Sequence, residues 1–326
     1  NQLNIRHQER VGANNILYTP QGVIHSMANI GDEQMVGLHI YWPPIKKMSV
    51  YETSTKRLFS VKGNSGAWVP DSPDHILESR MLCEPLRNYM NGKSFNSLQR
   101  ELLDETLEYI EKHPLFAHPF FEYFAEGRLS EEQVRLWAKQ RHFSSKNFPR
   151  YLGAFISNIE DEIIRTAYIK QLYEEHGELD LNRIHAKQLR QLIYALVVTE
   201  AELLAEQPLS GTAKFMNTYW ELSKSGDLYG AMGVFALGTE PVVPLEMKLC
   251  LRGLKSIEKL NDRNKIYFID HAEHDFRHTT ELVNILLPQI NNHEEYNKVI
   301  LGMKRIVDAR KGLYDSIAKA CHLKYS

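Results

Sequence analysis

The densest group of ligand-type side chains lies in Ile269-Asp-His271-Ala-Glu-His274-Asp275-Phe-Arg-His278. On a helix turning about 100° per residue, positions 271, 275 and 278 fall within roughly 60° of one another. Two imidazoles and a carboxylate then project from one face, a donor set that suits iron or manganese. His274 sits at the border of that stripe, as a substitute ligand or a supporting group. A second group is Tyr173-Glu174-Glu175-His176-Gly177-Glu178, followed by His185. Gly177 ends a helix there and Asp180 or Asn182 starts the next, so Glu175 and His185 flank a helix junction. A third is Gly238-Thr-Glu240-Pro241, after the apolar stretch 229–237. The proline disfavours helix at Glu240, so a kink is expected, with the carboxylate pointing inward or capping a helix. Each group by itself also matches a solvated helix face or end. Together they supply three carboxylates and three histidines on separate helices, which is how paired metal ions are held inside helical bundles.

The elements that must position these residues follow from periodicity. Leu98, Leu102, Leu103, Thr106, Leu107 and Ile110 recur at helical spacing. Ser130-Glu-Glu-Gln133 is a capping box opening a helix through about residue 143. Further helices are expected over roughly 160–176, 183–206, 211–223, 228–239, 243–257, 264–287 and 292–320. Before residue 80 the pattern changes: 23–29, 35–42 and 57–62 read as strands, and Pro43-Pro44 ends the second. The plan is therefore mainly α: a β segment over 1–80, a connector over 81–94 and a helical bundle over 95–326.

Composition narrows the function classes. The 326 residues carry a formal charge of −2, so no net positive field attracts nucleic acid or an anionic membrane. Cys83, Cys250 and Cys321 are far apart without CxxC spacing, which suits a reducing, cytoplasmic setting. No apolar run reaches membrane-span length, and no signal-peptide pattern opens the sequence.

The segment from about 113 to 317 resembles the haem-oxygenase-like di-iron oxidases and oxygenases, whose fold is the TenA/PqqC-like helical bundle. The pattern is a Glu, a His about ten residues on, a later Glu, then His-x-x-x-Asp/Glu-x-x-His. The matching positions are Glu175, His185, Glu240, His271, Asp275 and His278, with 31 residues from Glu240 to His271. Residues 142–158, with Phe148-Pro149, look like the family's early helix, where some members carry an extra Glu that this chain lacks. The resemblance implies those six residues as ligands of two Fe(II) ions, with O2 as co-substrate. It also implies oxidation of a small molecule: N-oxygenation, C–C cleavage or desaturation. An amino acid or a compound derived from one is the expected substrate.

Within 35–42, Gly37, His39 and Tyr41 share one strand face. With His25, the run to Pro43-Pro44 resembles the C-terminal half of cysteine dioxygenase, a cupin. His25 would be its ligand, with His39 and Tyr41 beside it. A cupin site needs two further histidines from an earlier strand, and His7 is the sole upstream candidate. The expectation is a partial cupin-like remnant that covers the bundle or forms a homodimer contact, since open strand edges need covering.

Three other readings stay open. A thiamine-degrading enzyme of the same fold would use Cys250 as nucleophile; a haem protein would use His142 or His185 as axial ligand; a cofactor-free oxidase would use neither. A non-catalytic metal-binding or interaction module is a further class.

Overall fold

The computed structural model describes residues 10–11, 16–18, 30, 47–52, 57–62, 76–273 and 276–323. Two compact units divide the chain: Asn1–Val50 with Ser60–Glu78, and Tyr51–Phe59 with Ser79–Ser326. Strands β1 (Lys47–Glu52), β2 (Arg57–Lys62) and β3 (Ile76–Met81) form a sheet in the order β1-β2-β3. Of the three expected strands, only 57–62 is among the described residues. His7, His25, His39 and Tyr41 lie outside them, and with them the cupin-like resemblance.

The larger unit is helical. Helix α1 (Glu84–Met90) occupies the expected connector and is followed by α2 (Ser97–Lys112) and α3 (Pro119–Ala125). Helix α4 (Glu131–Ile156) opens on the Ser130–Gln133 capping box but runs far past residue 143, through Pro149. An interior proline costs a backbone hydrogen bond, about 3 kcal/mol in an isolated helix. Burial of Trp137, Tyr151, Leu152 and Phe155 on the same helix offsets it, at about 1.5–3 kcal/mol for each large apolar side chain.

Helices α5 (Glu162–Glu175), α6 (His185–Ala195) and α7 (Glu200–Ala205) follow. The single helix expected over 183–206 is therefore two. Val197 adopts φ 63°, and a capping box from Thr199 to Glu202 starts the second. Next come α8 (Ser210–Lys224) and α9 (Leu228–Met232), the latter passing into a π-helical turn over Gly233–Leu237. Helices α10 (Val243–Leu254), α11 (Asp262–Glu273), α12 (Phe276–Leu286) and α13 (His293–Ala320) complete the chain. The expected 264–287 helix thus appears as two described pieces, and His274 and Asp275 lie outside the described residues.

Helix α13 is the central post. A Cβ on Gly233 would lie 2.1 Å from the Val299 carbonyl oxygen, and one on Gly302 would lie 2.0 Å from that of Gly230. Backbone therefore meets backbone where α9 and its π turn cross α13, and only glycine leaves room. At the other end, Phe120, Phe121, Phe124, Trp137 and Tyr314 form a ring cluster, with Phe121 and Tyr314 centroids 4.5 Å apart. Among the described residues, no helix is long and apolar enough to cross a membrane.

Candidate metal centre

Five of the six expected ligands are described, and Glu175, His185 and Glu240 among them stand at helix ends or bends. Glu175 is the last residue of α5 and His185 the first of α6. The turn between them depends on Gly177, at φ +65°, where an added Cβ would lie 2.5 Å from the Arg183 backbone. It brings His185 Nδ1 to 3.1 Å from Glu175 Oε2. His271, in the last turn of α11, stacks edge-on against His185 with centroids 4.5 Å apart. One ligand atom from each of Glu175, His185 and His271 lies within 4.8 Å of the others.

Glu240 and His278 form the neighbouring pair. The π turn ends in Glu240 N donating to the Phe235 carbonyl, at 3.1 Å, five residues back. This wide turn precedes Pro241, so the expected bend at Glu240 exists, and its side chain is only 4% exposed. His278, on α12, places Nδ1 3.3 Å from Glu240 Oε2 and Nε2 2.5 Å from Glu174 Oε2. Gln171 Nε2 donates to Glu240 Oε1. Asp275 and His274 cannot be placed among these groups, because neither is described.

The electrostatics match a site that wants a cation. Burial acts to raise Glu175, but His185, His271 and His278 outweigh it and hold the carboxyl down at about 2. Burial opposes charge on His185, yet Glu175 raises its pKa above the usual range. A proton on His185 supplies the positive charge that a metal would bring. Burial, helped by His185, pushes His271 down to about 3, so its ring is neutral. His271 Nδ1 lies 2.6 Å from the Tyr267 carbonyl oxygen. A carbonyl can only accept, so Nδ1 carries the proton and Nε2 presents a lone pair, as metal-ligating histidines do. His185 Nδ1 is buried and lacks an aligned hydrogen-bond donor or acceptor, despite its closeness to Glu175. A neutral imidazole at His271, a low-pKa carboxylate at Glu175 and a His185 proton that a cation could displace fit iron well.

The centre opens on a cavity with an empty volume of about 510 Å³, part of it open to solvent. Its lining includes Glu175, Glu240, His271 and His278 together with Arg141, Arg310, Tyr219 and Thr239. Sequence reasoning missed Gln171, Glu174 and the two arginines. Gln171 and Glu175 are four apart on α5, so helical spacing from the chosen ligand was a usable signal for the first. Nothing in the sequence marked the arginines.

The rival nucleophile and haem ligand fare poorly. Cys250 is fully buried, burial pushes its thiol up to about 12, and it does not line the cavity. His142 is also absent from the lining, and burial pushes it down to about 4.

Comparison with known proteins agrees with this geometry. Residues 135–311 match the family described as iron-containing redox enzymes. A 4-aminobenzoate synthase from Chlamydia muridarum is 27% identical over 237 residues, covering 71% of this chain and 97% of the relative. The 4-aminobenzoate synthase of Nitrosomonas europaea is 26% identical, covering 64% and 87%. A pyrroloquinoline-quinone synthase from Acinetobacter baumannii is 28% identical over 61 residues, 19% of this chain and 24% of the relative. Among solved structures, a TenA homologue from Pseudomonas syringae superposes with a TM-score of 0.59 at 15% identity, covering 71% of this chain and 96% of that one. A CADD-like protein of unknown function from Nostoc punctiforme gives 0.60 at 15%, covering 68% and 98%. The haem-oxygenase-like helical fold expected from the sequence is thereby shown, and the family match at residues 135–311 lies outside the cupin-like segment.

Proposed function

Because this chain belongs to the iron-containing redox enzyme family, we propose that it is a non-haem di-iron oxidase or oxygenase that uses O2 on a small, amino-acid-derived molecule. The observation that carries the reading is the Glu175–His185–His271 cluster, with ligand atoms within 4.8 Å, whose Glu175 and His271 line the same cavity as Glu240 and His278. Glu175, His185 and His271 would hold one iron; Glu240 and His278 would hold the other, with Asp275 a further ligand expected from the sequence. Bound there, the irons supply the electron chemistry that O2 activation requires and that protein side chains lack.

The chain's own groups fix and shield the centre. The Tyr267 carbonyl fixes the His271 tautomer. Glu174 holds His278 at 2.5 Å, and Gln171 orients Glu240 through its amide. Carboxylate and amide partners of this kind keep ligands in register with the metal. Phe148, Phe215 and Tyr267 wall the cavity and limit the water that reaches it. The relatives named 4-aminobenzoate synthase support a substrate or product that is a small aromatic amino compound.

The test is anaerobic reconstitution with Fe(II), counting bound iron, followed by mixing with O2 under optical observation. About two irons per chain and an O2-dependent transient absorption are expected. Protein that binds no iron above background would overturn the reading.

A further inference from the structure

Two arginines of the cavity wall belong to a second charged cluster, centred on Glu246. Glu246, on α10, is 0% exposed. Its Oε1 accepts from Arg141 Nη1 at 2.7 Å and from the Tyr314 hydroxyl at 2.5 Å. Its Oε2 accepts from Arg310 Nη1, also at 2.5 Å. Arg141 and Arg310 come from α4 and α13, are each 3% exposed, and both line the cavity.

The charges do not balance. Two guanidiniums face one carboxylate: among the described residues, Glu246 is the sole carboxylate ion-paired with either. Arginine stays protonated at any physiological pH, so one positive charge is left over. Hydrogen bonding is incomplete too. Among the described residues, Arg141 Nη2 has only the Met247 sulfur at 3.7 Å, Arg310 Nη2 has the Tyr219 hydroxyl at 3.2 Å, and the Nε of each arginine has no hydrogen-bond partner. A buried, partly unsatisfied cation costs several kcal/mol unless an anion completes it.

We infer that the Arg141–Arg310 pair is the anion-binding end of the cavity, and that it takes the carboxylate of a monoanionic small molecule. One residual charge matches one carboxylate; a doubly charged phosphate would overcompensate it. Phe148, Phe215, Tyr219 and Tyr267 offer ring faces for an aromatic or apolar body between this end and the metal ligands. The arginines are then positioning residues, holding the bound molecule so that its other end faces Glu175, Glu240, His271 and His278. That this molecule is the substrate rests on the di-iron reading; that the anion binds does not.

The test is calorimetric titration with benzoate and with its neutral isostere benzamide, on iron-loaded and chelator-stripped protein, with bound iron counted in each sample. Benzoate is expected to bind at least about tenfold more tightly than benzamide in both forms. Arg310→Gln should weaken benzoate by about tenfold or more without changing the iron count, and Arg310→Lys should restore part of the loss. Equal binding of the two probes, or no benzoate binding, overturns the inference, and the wild-type comparison alone decides this if a variant fails to fold. Benzoate binding that disappears with iron and ignores both substitutions also overturns it, because the metal would then be the anion's partner. Benzoate binding that persists in protein unable to hold iron would sustain the anion site and sink the di-iron reading instead.

Discussion

His271 concentrates the argument at the scale of single residues. Its ring is neutral, its tautomer is set by the Tyr267 carbonyl, and its free nitrogen joins Glu175 and His185. Replacing it by alanine removes one donor from a cluster of three, while the helix that carries it keeps its buried Phe268 and Tyr267. His271→Ala is therefore expected to lose O2-dependent turnover by about a hundredfold or more, with a far-UV spectrum unchanged. Turnover within a few-fold of wild type would remove His271 from the centre. Neighbouring Glu174 shows where residue-level reading ran short. Glu174 and Glu175 are adjacent on α5, and sequence favours neither. Only the position of His278, 2.5 Å from Glu174, brings the second carboxylate into the same cluster.

At the scale of elements, the ligands depend on how helices end. Glu175 and His185 are ten positions apart and meet because the chain reverses through Gly177. Gly177→Ala would force an L-residue to φ +65° and press a methyl group against Arg183. The strain is about 1–2 kcal/mol or more. The expected result is a lower melting temperature and weaker binding of one iron, read by Fe(II) titration of the variant. A variant with wild-type iron affinity would show that the turn does not set the Glu175–His185 distance. The π turn before Glu240 has the same logic. The Thr239 hydroxyl donates to the Val234 carbonyl at 2.8 Å and is itself 2.8 Å from the Tyr219 hydroxyl. Such wide turns recur where a helix must re-aim a functional side chain.

For the whole molecule, buried imidazoles tie stability to pH. His142 is 7% exposed, and burial first, then Arg190 and Lys146, pushes it from 6.5 down to about 4. Between those values the unfolded chain binds the proton and the folded chain does not. Its contribution is thus complete above about pH 6.5 and is lost as pH falls toward 4, by at most about 1.4 kcal/mol per pH unit. His113 and His118 are also depressed by burial and act in the same direction. Metal-free protein should therefore weaken from pH 7 to pH 5, and His142→Gln should lose about 1 kcal/mol less than wild type over that interval. Denaturant titrations at both pH values read the difference; equal losses would show that His142 protonates freely in the folded protein.

Much of this protein was legible along its sequence. The helical bundle followed from apolar periodicity, and the helix starts at Glu131 and Asp262 fell close to their expected places. The five described residues of the expected ligand set stood out in clusters by residue type, and the resemblance to the di-iron oxidases singled them out within those clusters. Other features required the folded chain. The break after Ala195, the π turn and the passage of α4 through Pro149 are local compromises set by long-range packing. The Arg141–Glu246–Arg310 cluster joins residues 105 and 64 positions apart. Charge balance in a cavity is a property of space, so no reading along the chain could have found one carboxylate facing two guanidiniums.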